Sequence, residues 1–371
     1  MTAIDWPTIR RILLKAILLL IILNLLFGVV DGRSLLGLFS LYNRLFPGRS
    51  RLPYGDDPET SYNITLTDLD AMFAAHEIES VADNEFRIFL IGDSSIWGFL
   101  QPTDETVSAS LNTLQLNTSD GTPVRVYNLA YPTMSWLKDL LILDYAMRYE
   151  PDLIVWFVTL ESGMISRQMD APLVQYNADE AVALIERYHL AQDMDDPRLI
   201  FPTFWDRTII GARKPLADLL RHQFYGVLWS ATGIDQTLPE SYTARMEDLP
   251  ADPSFQGLLE AEWDDGVVAM DVLHAGLSRA GDVPIILVNE PVFRSSGENS
   301  DIRYNFYYPR WAYDRYRTLL TSTCEEEDWR CVDFWDLLPG NLYTDSAIHY
   351  NPEGSQRVAG ELLPLLMESI P

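Results

Sequence analysis

The sequence predicts a three-layer α/β sandwich with a mostly parallel central sheet, preceded by an N-terminal transmembrane helix and interrupted by a helical insertion. Three observations lead there. Four short apolar runs, 86–91 (FRIFLI), 124–129 (VRVYNL), 153–158 (LIVWFV) and 284–289 (PIILVN), have the composition of strands buried on both faces, and a weaker fifth lies at 331–334. Helical patterns at 136–149, 258–280 and 313–320 fall between them, and strands alternating with helices pack as a parallel sheet covered on both sides. Finally, residues 12–30 (ILLKAILLLIILNLLFGVV) are apolar apart from Lys15 and Asn24.

As a helix, that segment is about 28 Å long, close to the ~30 Å of a hydrocarbon core. Lys15 can snorkel toward headgroups beside Arg10 and Arg11. No small-x-small cleavage site follows, so the segment reads as an uncleaved signal anchor holding an extracytoplasmic domain; a cleaved signal peptide and a buried soluble helix are the alternatives. Arg33, Arg44, Arg49 and Arg51 after the span weaken the charge asymmetry that would set its orientation. Residues 34–46 fit either an interfacial helix or one packed on the main domain.

Charge divides the chain in the same place. Residues 1–51 carry seven basic and two acidic groups (+5), and the other 320 residues carry 20 basic and 52 acidic groups (-32), which together give the net charge of -27. A polyanion of this kind is a poor nucleic-acid binder. We accordingly divide the chain into an anchor and juxtamembrane segment, 1–51, and an α/β body, 52–371.

A linker at 53–61 and a helix at 66–77 lead into the first strand. Residues from about 165 to 255 contain no convincing strand but do contain helical pieces (179–191 and 215–228) and scattered aromatics, the pattern of an inserted helical cap. Two cysteines, Cys324 and Cys331, exclude a disulfide-dense scaffold and a four-cysteine zinc site. So close together in a polar stretch, they are either a small-loop disulfide or two free thiols. No metal or cofactor is expected.

Two motifs carry chemistry. Strand 86–91 ends in Gly92-Asp93-Ser94-Ser95; a serine there meets a crevice and a following helix N-terminus whose N–H groups suit a developing oxyanion. Near the C-terminus, Asp345 and His349 precede Asn351-Pro352-Glu353-Gly354, where Asn351 suits an N-cap and Pro352 the first helical position. A histidine beside an acid can be held in one tautomer and serve as general base.

Together these motifs resemble the SGNH (GDSL-type) hydrolase superfamily of esterases, deacetylases and acyltransferases, over about residues 84–371 without the insertion. The resemblance implies an SGNH/flavodoxin-like fold with Ser94 as nucleophile, His349 as base and Asp345 as its orienting acid. It further implies an oxyanion hole built from Ser94, Thr133 and the position of Glu161. Three features depart from the family pattern. Thr133 stands where the family has glycine, and Glu161 falls nearest its donor asparagine. The acid–histidine spacing is one residue longer, with Ser346 at the usual acid place.

Candidate substrate-binding residues are Asn289 and Glu290, at the end of the fourth strand, and Arg303 and Arg310, in an aromatic segment at 299–316 (NSDIRYNFYYPRWAYDRY). Aromatic faces and guanidinium forks suit sugars or anionic polymers, though a packed connecting helix would also account for that segment. The resulting expectation is a membrane-anchored serine esterase, deacetylase or O-acyltransferase acting on acyl, especially acetyl, esters of glycans or small molecules, with cell-envelope polysaccharide a possible substrate. A degenerate family member that binds glycans or envelope partners without turnover is the alternative.

Overall fold

The computed structural model describes residues 5–30, 32–37, 41, 45, 67–75, 78, 84–233, 238–239 and 241–371. The linker expected at 53–61 and most of the helix considered at 34–46 lie outside the described residues. The chain forms two compact units, one of residues 1–75 with 200–235 and one of residues 76–199 with 236–371. The insertion read from the sequence is therefore divided: 200–235 belongs with the anchor, and its two flanks stay with the α/β unit.

In the first unit, α1 (Trp6–Val29) is a 24-residue helix. It begins after Asp5 with Pro7 in its first turn, where a missing N–H costs nothing. Its Ile and Leu side chains are mostly exposed, whereas Asn24 and Gly28 are buried. Two short helices follow, α2 (Gly32–Gly37) and α3 (Leu69–Ala75).

The second unit opens with β1 (Phe86–Ile91), α4 (Ser94–Trp97), α5 (Val107–Thr113) and β2 (Val124–Asn128). Next come α6 (Trp136–Ala146), β3 (Leu153–Val158), α7 (Leu160–Gly163), α8 (Pro172–Tyr176) and α9 (Ala178–Tyr188). After α10 (Arg213–Thr232), which belongs to the first unit, the chain returns as α11 (Met270–Ala280), β4 (Ile285–Asn289), α12 (Arg310–Glu326), β5 (Arg330–Asp333) and α13 (Pro352–Met367). All five strands are parallel, in the order β2-β1-β3-β4-β5. The chain steps from β1 out to β2 and then back across to β3, so the topological switch falls between β1 and β3. A crevice opens at the carboxyl ends of strands at such a point.

Both sheet faces are covered, which is why the central strands β1, β3 and β4 read as largely apolar runs. On one face Ile88, Leu90, Val126, Val155 and Val288 pack with Val107 and Leu111 of α5 and with Val358, Leu362 and Leu366 of α13. The alternate residues Phe89, Ile91, Ile154, Trp156 and Leu287 point the other way and are equally buried. That face is covered by α6 and α11, which also contact each other.

Two helix expectations change. The helix expected over 258–280 begins only at Met270. Before it the chain makes 3-10 turns at Glu260–Glu262 and Asp265–Val267, because the Asp264 side chain accepts the Gly266 N–H and competes with the helix ladder. The helix expected over 313–320 runs the full length of α12, starting immediately after Pro309. Cys324, near the end of α12, is joined to Cys331 in β5 by a disulfide.

Close approach of α11 to the sheet depends on Gly276. A Cβ there would sit 2.3 Å from Cζ3 of the fully buried Trp156. Gly276→Ala should therefore destabilise the fold by ~1–3 kcal/mol, read as a lower urea midpoint with an unchanged slope. A midpoint equal to wild type would contradict this packing.

Candidate active site

The switch-point crevice receives its first side chain from the turn after β1. Asp93 caps α4, accepting the Ser95 N–H at 2.9 Å, and Gly98 ends the helix in the left-handed conformation. This short helix fixes Ser94 at its first position. The second group comes from a tight loop closed by the antiparallel bridge Tyr343–Tyr350. Within it the Thr344 N–H donates to the His349 carbonyl at 2.9 Å. Asn351 then caps α13 through the Gly354 N–H, with Pro352 at its start. Helix and bridge together leave the loop little freedom.

The two pieces meet. Ser94 Oγ lies 2.8 Å from His349 Nε2, and His349 Nδ1 lies 3.0 Å from Asp345 Oδ1. The Thr344 hydroxyl donates to the same Asp345 oxygen at 3.0 Å. The Phe99 ring lies against the imidazole, with centroids 4.6 Å apart. Burial alone would raise the Asp345 carboxyl, but the hydrogen bond and charge of His349, with the Thr344 hydroxyl, hold it below its ordinary value. Asp345 thus stays an acceptor for Nδ1–H, which leaves Nε2 free to accept from the serine. Asp345, not Ser346 one residue closer to the histidine, holds Nδ1.

Thr133 follows β2 and has φ +77°. That region favours glycine; a β-branched residue held there carries strain of ~1–3 kcal/mol. Lys138, entirely buried in α6, restrains this turn. Its Nζ donates to the carbonyls of Gly92 (2.9 Å), Tyr131 (2.5 Å) and Thr133 (2.9 Å). One amino group therefore ties the turn that precedes Ser94 to the turn that presents Thr133. Asp139 Oδ1 lies 2.8 Å from the same Nζ, an ion-pair distance without hydrogen-bond alignment.

Glu161 lies at the carboxyl end of β3 and is buried. Its carboxylate accepts from Arg167 Nη2 at 2.5 Å and Gln256 Nε2 at 2.9 Å, while its N–H donates to the Tyr308 hydroxyl at 3.2 Å. It is an acceptor held by two donors, which corrects its expected place as an oxyanion-hole donor.

The expected substrate-binding residues all have partners within the fold. Arg303 is buried and donates to the carbonyls of Asp252, Ser254, Asn305, Phe306 and Tyr307. Arg310 donates to the Ser300 carbonyl and lies over the Tyr304 ring. Asn289 bridges Asp333 and the Tyr313 hydroxyl. It lines a cavity of about 320 Å³ that also includes Cys324 and Cys331 and none of the triad. Glu290 is buried and accepts the Ser95 hydroxyl at 2.5 Å. Burial, then the nearby charge of Asp93, pushes its carboxyl well above the usual range.

Sequence reasoning did not assign Lys138, Arg167 or Phe99 to the site. Lys138 alone left a readable signal, as one of only three lysines in the chain and set in the apolar run WLKDLLILDYA.

No family model matches the chain, and no curated protein matches it. Among solved structures the chain is similar to a carbohydrate acetylesterase family member from Sinorhizobium meliloti, at 14% identity and TM-score 0.35, covering 77% of this chain and 99% of that one. It is also similar to a member of the lipolytic protein G-D-S-L family from Veillonella parvula DSM 2008, at 12% identity and TM-score 0.38, covering 76% and 98%. At these scores the likenesses carry no argument about activity, which rests on the site itself.

Asp139 makes the support beneath the site sensitive to pH. Burial outweighs the attraction of Lys138 and raises its carboxyl from the ordinary 3.8 to about 6. Between these two values the folded chain holds a proton that the unfolded chain has released, so stability should fall as pH rises from about 4 to about 6. Asp139→Asn should flatten that slope in urea unfolding measured across the window. An unchanged slope would rule Asp139 out as its source.

Proposed function

We propose that this chain is a membrane-anchored, extracytoplasmic serine esterase, deacetylase or O-acyltransferase that acts on acyl, especially acetyl, esters of glycans or small molecules. The observation that carries this reading is the continuous hydrogen-bonded line Ser94–His349–Asp345, drawn from opposite ends of the sequence.

In this mechanism the Ser94 oxygen attacks the ester carbonyl as its proton passes to His349 Nε2. Asp345 holds the imidazole in the receptive tautomer and balances the imidazolium that forms. The carbonyl oxygen becomes an oxyanion, which the backbone N–H groups of Ser94 and Thr133 receive; Lys138 sets the spacing of their two turns. Collapse expels the alcohol, which takes the proton from His349 and leaves an acyl-serine. Water or a sugar hydroxyl then attacks the acyl group with His349 again as base, and Ser94 is regenerated. Water makes the enzyme an esterase, and a sugar makes it an acyltransferase.

Two features support an extracytoplasmic, anchored setting. The 24-residue α1 is apolar and mostly exposed. The Cys324–Cys331 disulfide suits an oxidising compartment. A non-catalytic glycan-binding role is the second reading, favoured by one observation: Glu161 stands where a hydrogen-bond donor is expected.

Hydrolysis of p-nitrophenyl acetate by the purified full chain, with Ser94→Ala as control, tests the proposal. The substitution should lower kcat/KM by about 10³-fold or more. Equal rates for the two proteins would sink the assignment.

A further inference from the structure

The unit that contains α1 has a second apolar surface, which the triad does not use. Residues 200–212 lie against the last turns of α1. The Ile210 N–H donates to Asn24 Oδ1 at 2.8 Å, which explains how a buried asparagine sits in an otherwise apolar helix. At Gly28 the helix and this segment approach so closely that a Cβ would lie 3.1 Å from Thr208 and 3.2 Å from Phe204. Asn24 is five residues, about 8 Å, from the end of α1. A 24-residue helix is about 36 Å long, so this contact falls near one boundary of a ~30 Å hydrocarbon core.

What the segment exposes at that level is apolar and aromatic. Trp205 is 65% exposed and Ile210 56%. On α10, Leu220, Phe224 and Leu228 recur at i, i+4 and i+8 and therefore form one stripe, each more than half exposed. Exposed Arg213 and Lys214 stand at the start of the same helix. Between residues 200 and 232 there are four basic and two acidic residues (+2), in a chain of net charge -27. Tryptophan with a cation-flanked apolar helix face is the composition of a bilayer interface. Local positive charge also suits anionic headgroups.

We propose that residues 200–232 form an interfacial docking element that seats the Leu220–Phe224–Leu228 stripe in the lipid leaflet at the carboxyl end of α1. A lipid surface fits better than a second copy of the chain because the segment that leads into the helix is joined to the span by the Asn24–Ile210 bond and the face is flanked by cations. The proposal rests on α1 spanning the membrane, as inferred above.

Spin labels test it in the full chain reconstituted into vesicles of phosphatidylcholine with phosphatidylglycerol. Phe224→Cys and Leu228→Cys report the stripe, Leu19→Cys reports the span, and Glu361→Cys on the exposed face of α13 reports water. The stripe labels should be accessible to oxygen and at least about threefold less accessible than Glu361→Cys to a water-soluble nickel chelate, as expected for burial at the headgroup–acyl boundary. If Leu19→Cys lies in lipid while the stripe labels are as accessible to nickel as Glu361→Cys, this inference fails and the anchor stands. If Leu19→Cys is itself in water, both fail. Stripe labels shielded from both reagents and broadened by one another would assign the face to a second copy and overturn the proposal.

Discussion

The candidate site depends on a buried lysine. Lys138 has three N–H donors, and the carbonyls of Gly92, Tyr131 and Thr133 take all three. Two of these carbonyls belong to the turns that carry the proposed oxyanion donors. A hydrogen bond to a charged group is worth ~1.5–3 kcal/mol, so neither turn can drift without a penalty. The same tie explains how Thr133 keeps a φ of +77° that a β-branched residue disfavours. Strain of that size persists only where its surroundings enforce it.

Around this support the site separates into a rigid serine side and a rigid histidine side. Asp93 and α4 hold Ser94, while the Tyr343–Tyr350 bridge and the cap of α13 hold His349. Buried charge is accommodated nearby in two ways. Glu161 is matched by Arg167 and Gln256 and faces them. Glu290 has no cation bound to it, and burial keeps its carboxyl protonated into a higher pH range.

Much of this was legible in the sequence. Central parallel strands are buried on both faces, so 153–158 stood out as an unbroken apolar run and 86–91 as one interrupted only by Arg87. The serine and the acid–histidine pair were legible because each abuts a helix start with its own punctuation, Gly92-Asp93 in one case and Asn351-Pro352 in the other. The less readable features are those in which distant backbone supplies the partner. Arg303 and Arg310 resemble ligand-binding arginines in composition, yet backbone carbonyls in folded-back loops account for their hydrogen bonds. Glu161 could be placed at the end of its strand, but Gln256 lies 95 residues away and no local pattern announces it. The attachment of 200–235 to the anchor unit was hidden for the same reason, since the Asn24–Ile210 bond joins residues 186 apart.

The central claim is that Ser94 is an activated nucleophile, because a serine hydroxyl is inert unless a base takes its proton. Reaction of the full chain with a fluorophosphonate, followed by peptide mass spectrometry, tests this directly. A stoichiometric adduct on Ser94 that is lost in His349→Ala is the expected result. No adduct on the wild-type protein, or equal labelling of both proteins, would contradict it.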